Sequence, residues 1–140
     1  MELINTASID ESVKNYNPVE HILKHRNSIL HITTEYAGYL RMVNDNSRYN
    51  GNNPNAEKVK AISYSIIARI YPHRFILQHE GFRKLPDEIS QKHAISFCNS
   101  VDIANDILKN FDNDLMTIAI DEIITHFESL YDHLKKLKTN

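Results

Sequence analysis

Apolar residues recur every three or four positions through most of this chain, in long runs broken by a few polar or proline-containing stretches. That spacing puts them on one face of an α-helix and predicts a small number of long amphipathic helices. Ser8-Ile9-Asp10-Glu11 has the spacing of a capping box, with Ile9, Val13 and Tyr16 available to pack, so residues 1–16 are expected to hold a short helical segment. A stronger start follows at Asn17-Pro18-Val19-Glu20, which sets a cap, a first-turn proline and a glutamate in order. Val19, Ile22, Ile29, Leu30, Tyr36, Ala37, Leu40 and Val43 then continue at helical spacing to about residue 44. Residues 44–55, dominated by Asn, Asp and Ser around Gly51 and Pro54, predict a polar loop.

The next periodic run contains Val59, Ile62, Ile66 and Ile70 and then meets Pro72. Proline lacks an N–H and clashes with the preceding turn, so a kink or break is expected there. Phe75, Ile76 and Leu77 carry on, with Gly81 as the predicted stop. Pro86-Asp87-Glu88 opens another helix, whose buried face is expected to comprise Ile89, Phe97, Ala104, Ile107, Leu108 and Phe111. After an Asp112-Asn113-Asp114 corner, the last helix has the most regular seam: Met116, Ile120, Ile123, Phe127, Leu130, Leu134 and Leu137. Such near-heptad spacing suits the roughly 20° crossings of bundle helices. The expected fold is all-α, an antiparallel up-down-up-down four-helix bundle preceded by a short N-terminal helical segment, and residues 1–140 are expected to form one domain.

Composition adjusts this picture only slightly. Three glycines and four prolines leave little material for the turns of a many-stranded fold. A net charge of −2 gives no electrostatic reason to expect nucleic acid as the partner, and the Lys135, Lys136, Lys138 cluster suits the cation preference of a helix C-terminus. Cys98 is alone, so an intramolecular disulfide framework is excluded. Met1-Glu2-Leu3-Ile4-Asn5 lacks the basic and apolar regions of a signal peptide, and runs such as Ala61 to Ala68 are too short to span a bilayer. A cytoplasmic protein without membrane contact is expected.

The eight histidines carry the first candidate chemistry. With the helices laid antiparallel, His21, His25, His73, His79, His93 and His133 fall toward one end of the bundle, and His31 and His126 near its waist. His21 with His25, His31 with Glu35, and Glu122 with His126 are each four residues apart on one helix face. Imidazole with carboxylate suits zinc or non-haem iron, so His21, His25, His31, Glu35 and His126 are candidate metal ligands. The Glu-x-x-His motif of di-iron carboxylate bundles is missing, and no Cys-x-x-Cys-His marks haem attachment.

A second candidate is phosphodiester chemistry. Arg26-Asn27-Ser28-Ile29-Leu30-His31 is an Arg-x4-His element, and Arg74 to His79 is another. The first resembles the Arg-Asn-x3-His motif of HEPN domains, all-helical ribonucleases and toxin components of similar size. That resemblance implies a metal-independent ribonuclease. Arg26 would stabilise phosphate charge, and His31 would act as general acid or base on the 2′-OH or leaving group. RNA would then be the substrate.

Other enzyme signatures are missing: there is no phosphate-binding glycine loop and no Gly-x-Ser-x-Gly elbow, and Cys98 beside Phe97 reads as a small core residue. The leading expectation is therefore a binding protein with a protein partner, working as an inhibitor, immunity protein, adaptor or assembly subunit. Self-association as a homodimer through a bundle face fits the same pattern.

Overall fold

The computed structural model describes residues 17–50, 56–78 and 80–139. Among these the regular structure is helical throughout, without strands. The elements are α1 (Pro18–Lys24), α2 (Arg26–Asn50), α3 (Ala56–Ile76), α4 (Glu80–Arg83), α5 (Glu88–Ile107), a 3-10 turn (Leu108–Asn110) and α6 (Asn113–Thr139). The Ser8–Glu11 capping box, residues 51–55 of the expected loop, and His79 lie outside the described residues. No described helix is long and apolar enough to cross a membrane.

Local chemistry accounts for the helix starts. Asn17 Oδ1 accepts from the Val19 and Glu20 N–H groups at 3.0 and 3.3 Å, with Pro18 as first helical residue. Asp87 caps α5 by accepting from the Ser90 N–H at 2.8 Å, and Asp112 caps α6 through the Leu115 N–H at 2.9 Å.

Three boundaries depart from the periodicity. The helix expected over residues 18–44 breaks at His25, which adopts φ −102° and ψ 15°. No Gly or Pro marks that break. It follows from tertiary packing, since α1 lies on α6 and its His21 meets α3. At the other end, α2 runs on to Asn50, so residues 44–50 are helix and not loop. Asn and Asp cost only tenths of a kcal/mol in a helix, and the Asn44 amide donates to Thr117 Oγ at 3.2 Å on α6. Pro72, finally, lies within α3 without ending it. The N–H it lacks would have served the Ala68 carbonyl, and Ala68 lies on the exposed side of the helix.

The core runs along the middle of the α2, α3, α5 and α6 set. Antiparallel pairing of α5 with α6 across the tight 108–112 corner makes the most extensive contact, followed by α2 on α6 and α3 on α5. Phe97 and Phe127 meet there with ring centroids 5.5 Å apart and planes tilted by 59°. The expected α6 seam is buried from Met116 to Leu134, with Leu137 left exposed. Ile89, assigned by periodicity to the α5 core face, is exposed as well. The small residues Ser90 and Ala94 occupy the buried positions of that first stretch and let the helices approach closely. Between α2 and α3 the contact is thinner, and the buried Tyr36 hydroxyl is hydrogen-bonded to Ser63 across it.

Gly81 does not stop α3. It sits in α4, where a Cβ would overlap the Ile76 carbonyl. Gly38, mid-way along α2, has open space around the same position. Gly81→Ala should therefore lower the unfolding free energy by about 1–3 kcal/mol, whereas Gly38→Ala should raise it by about 0.5–1 kcal/mol. Urea titration of both variants checks this; shifts of the same sign would contradict the close-approach account.

Candidate functional site

Three histidines gather where α1 meets the end of α3. His21 Nε2 and His73 Nδ1 lie 2.8 Å apart, and the His25 ring centroid is 4.4 Å from that of His21 and 6.0 Å from that of His73. One of the bonded nitrogens must donate and the other accept, so the pair holds a single proton between them. His21 is buried; burial first, then His73, His25 and Lys24, push its pKa down to about 4. Burial and His25 also lower that of His73. His21 and His73 are therefore favoured in their neutral form.

A second group occupies the start of α5. His133 Nε2 on α6 lies 2.9 Å from Asp87 Oδ2, tying the last helix to the α5 cap. Hydrogen bonds from the Ser90 side chain and backbone, reinforced by His133, hold the Asp87 carboxyl down at about 2. The His93 ring is 6.1 Å from that of His133, and burial, His133 and His126 lower its pKa.

Of the expected metal ligands, His21 and His25 come together with His73. His31 pairs with Glu35 at 3.2 Å on an open surface, both side chains about 70% exposed (71% and 70%). His126 acts on His93 only through its charge, helping to lower that group's pKa. Among the described residues, no group of three or more His, Cys, Asp or Glu side chains has the geometry to hold a metal ion.

The Arg-x4-His element shares one feature of its surroundings. Arg26, Asn27, Ser28, His31, Thr34 and Glu128 line a single open cleft of about 710 Å³ between α2 and α6, with Leu30 at its base. Arg26 lies over the Tyr131 ring, 5.0 Å from its centroid, and donates to Asn27 Oδ1 at 3.3 Å. Arg74, from the second such element, is committed elsewhere. Its Nε and Nη2 each donate to Asp102 at 2.7 Å, a bidentate pair that links α3 to α5. Cys98 lies beside it, Sγ toward the Arg74 carbonyl, and burial pushes its thiol up to about 11, which keeps it an unreactive core group.

The Val59, Ile62, Ile66, Ile70 periodicity predicts one apolar face for α3, and the helix has two. Val59, Ser63, Ile67 and Ile70 are buried. On the far side, Ala61, Tyr64, Ala68, Tyr71 and Phe75 form an exposed stripe at alternating three- and four-residue spacing, the aromatic members 49%, 39% and 38% exposed. The Arg74 guanidinium lies 5.5 Å from the centroid of the Tyr71 ring, so one flank of that tyrosine rests on a side chain already fixed by Asp102. In the sequence this stripe is a second heptad offset from the first, and the half-buried Ile62 and Ile66 between the two faces blur its edge.

Compared with known proteins, the chain matches no protein-family model, no curated protein and no solved structure.

The histidine cluster has a direct consequence for stability. Folded-state pKa values below the unfolded value mean that the unfolded chain binds protons more readily, so stability is complete above about pH 6.5 and declines as pH falls toward 4. Thermal melts across that range should show the decline, and His73→Gln should flatten it. An unchanged slope in the variant would remove the cluster as its source.

Proposed function

We propose that this chain is a binding protein acting through protein–protein contacts made by the outer face of α3. The carrying observation is the Ala61–Tyr64–Ala68–Tyr71–Phe75 stripe, exposed on a helix whose opposite face already serves the core. Scattered surface apolar residues need no explanation, but aromatic residues repeated at heptad spacing along about 21 Å of helix form a contiguous docking strip. Tyr and Phe are among the residues that carry interface energy, and a Tyr71 held against the fixed Arg74 loses little freedom on binding. An inhibitor, immunity protein, adaptor or assembly subunit would use such a strip, and the expected site is the cytoplasm. The four long helices are taken as an up-down-up-down bundle, which agrees with packing between sequence neighbours and of α6 on α2.

A ribonuclease is the second reading, favoured by one observation: Arg26, Asn27 and His31 open into the same cleft. In that reading Glu35 orients the His31 ring for proton transfer, and Arg26 holds a phosphate oxygen.

Photo-crosslinking tests the first reading. A benzoyl-phenylalanine at Tyr64 or Tyr71 should give discrete protein adducts in producing cells, and one at Glu122 on the outer face of α6 should not. Identical patterns at all three positions would remove α3 as the docking face. For the second reading, any RNA cleavage should fall by about a hundredfold or more in Arg26→Ala and His31→Ala. Cleavage retained in both folded variants would end it.

A further inference from the structure

The short helix α1 is held to the bundle in two ways. Pro18 and Ile22 are buried and Val19 and Leu23 pack at the edge of the core, where α1 lies on α6 and α2. Toward α3 the tie is polar, the 2.8 Å bond between His21 Nε2 and His73 Nδ1. At the far end of α1, His25 is a one-residue joint outside helical geometry, with φ −102° and ψ 15°. Its N–H donates to the His21 carbonyl at 2.9 Å and its carbonyl accepts from the Ile29 N–H at 3.1 Å. A joint of this kind absorbs a change of direction while the helices on either side stay intact.

Two neutral rings share the bond, one nitrogen donating and the other accepting, and one imidazolium can still donate to a neutral partner. Two imidazolium rings present N–H to N–H, so the doubly protonated pair loses its bond and sets two cations face to face. His25, its ring centroid 4.4 Å from that of His21 and 6.0 Å from that of His73, adds a third positive charge when protonated. The surrounding groups act mostly in the same sense. On α1, Lys24 opposes a charge on His21. On α3, the Arg74 that follows His73 is paired with Asp102. The cleft where α1 and the start of α2 meet α6 is lined by Lys24, Arg26 and Lys135 with the single carboxylate of Asp132. We propose that the His21–His73 pair is an acid-operated latch: when both rings are protonated, α1 parts from α3, turns about His25 and uncovers the apolar surface beneath Ile22, while the bundle of α2, α3, α5 and α6 stays folded. The Asp87 carboxyl is held at about 2, so at pH 5 it is still ionised and the His133 tie between α5 and α6 persists. Neither the aromatic stripe of α3 nor the Arg26 cleft takes part.

Native-state hydrogen exchange of the full chain tests the latch, read as protection factors so that the intrinsic pH dependence of exchange is removed. Burial and its neighbours hold His21 at about 4, against 6.5 once released, so protection of the Ile22 to His25 amides should fall about twentyfold between pH 7 and pH 5 from that ring alone. His73, lowered in the same direction, should deepen the fall. At pH 5 these amides should be about tenfold or more less protected than those of α6 between Met116 and Leu134, because α1 opens while the core does not. In the double variant His21→Gln, His73→Asn, side-chain amides stand near the bonded ring nitrogens and take up no proton, so the fall should shrink below about threefold. His21→Gln alone should also reduce it, and replaces the double variant if that one lacks a cooperative melt at pH 7. Protection of α1 that does not change with pH would overturn the proposal. So would α1 and α6 falling to one common protection factor at pH 5, which is global unfolding, or an undiminished fall in the folded variant.

Discussion

The buried seam of α6 is the constraint on which the other helices depend. From Met116 to Leu134 its inward positions are fully or almost fully excluded from solvent, and α1, α2 and α5 all pack against it. Burying such a continuous apolar ridge requires neighbours on more than one side, and the tight corner at residues 108–112 guarantees the first of them by folding α5 back along it. The main contacts of α3 are with α2 and α5. That placement leaves one side of α3 outside the core, where its aromatic stripe lies.

Polar groups fasten the ends of the arrangement. The His21–His73 hydrogen bond joins α1 to α3, His133 joins α6 to the Asp87 cap of α5, and Arg74–Asp102 joins α3 to α5. Each joins two helices through side chains far apart in sequence. The first of these depends on neutral rings and the second on an ionised carboxylate, so protonation in acid loosens both, charging the rings in one and discharging the carboxylate in the other.

Helix existence and most of the core were legible in the sequence, because period and capping residues act locally. Asn17-Pro18, Asp87 and Asp112 mark starts by their own side-chain hydrogen bonds, and the α6 seam is a one-dimensional pattern. The break at His25 was not legible, since it comes from packing of α1 on α6 and leaves no Gly or Pro signature. Residues 44–50 misled because Asn and Ser favour turns on average, while a contact such as Asn44–Thr117 outweighs tenths of a kcal/mol. Histidine positions were legible along each helix, but which rings meet depended on helix rotation: His73 meets His21, and His133 lies beside His93. On α3 the outer stripe was not legible as a separate face, because apolar residues of both faces interleave along the helix.

The corner between α5 and α6 also bears on how the chain assembles. Its two helices make the largest contact in the fold while lying next to each other in sequence, so little loop entropy opposes their meeting. A hairpin of that kind is suited to form early and to serve as the template on which α2 and then α3 condense. The same ordering read backwards makes α3, with the thinnest support, the first long helix to come away in local opening. The exposed aromatic stripe is thus carried by the element with the lowest expected protection against hydrogen exchange.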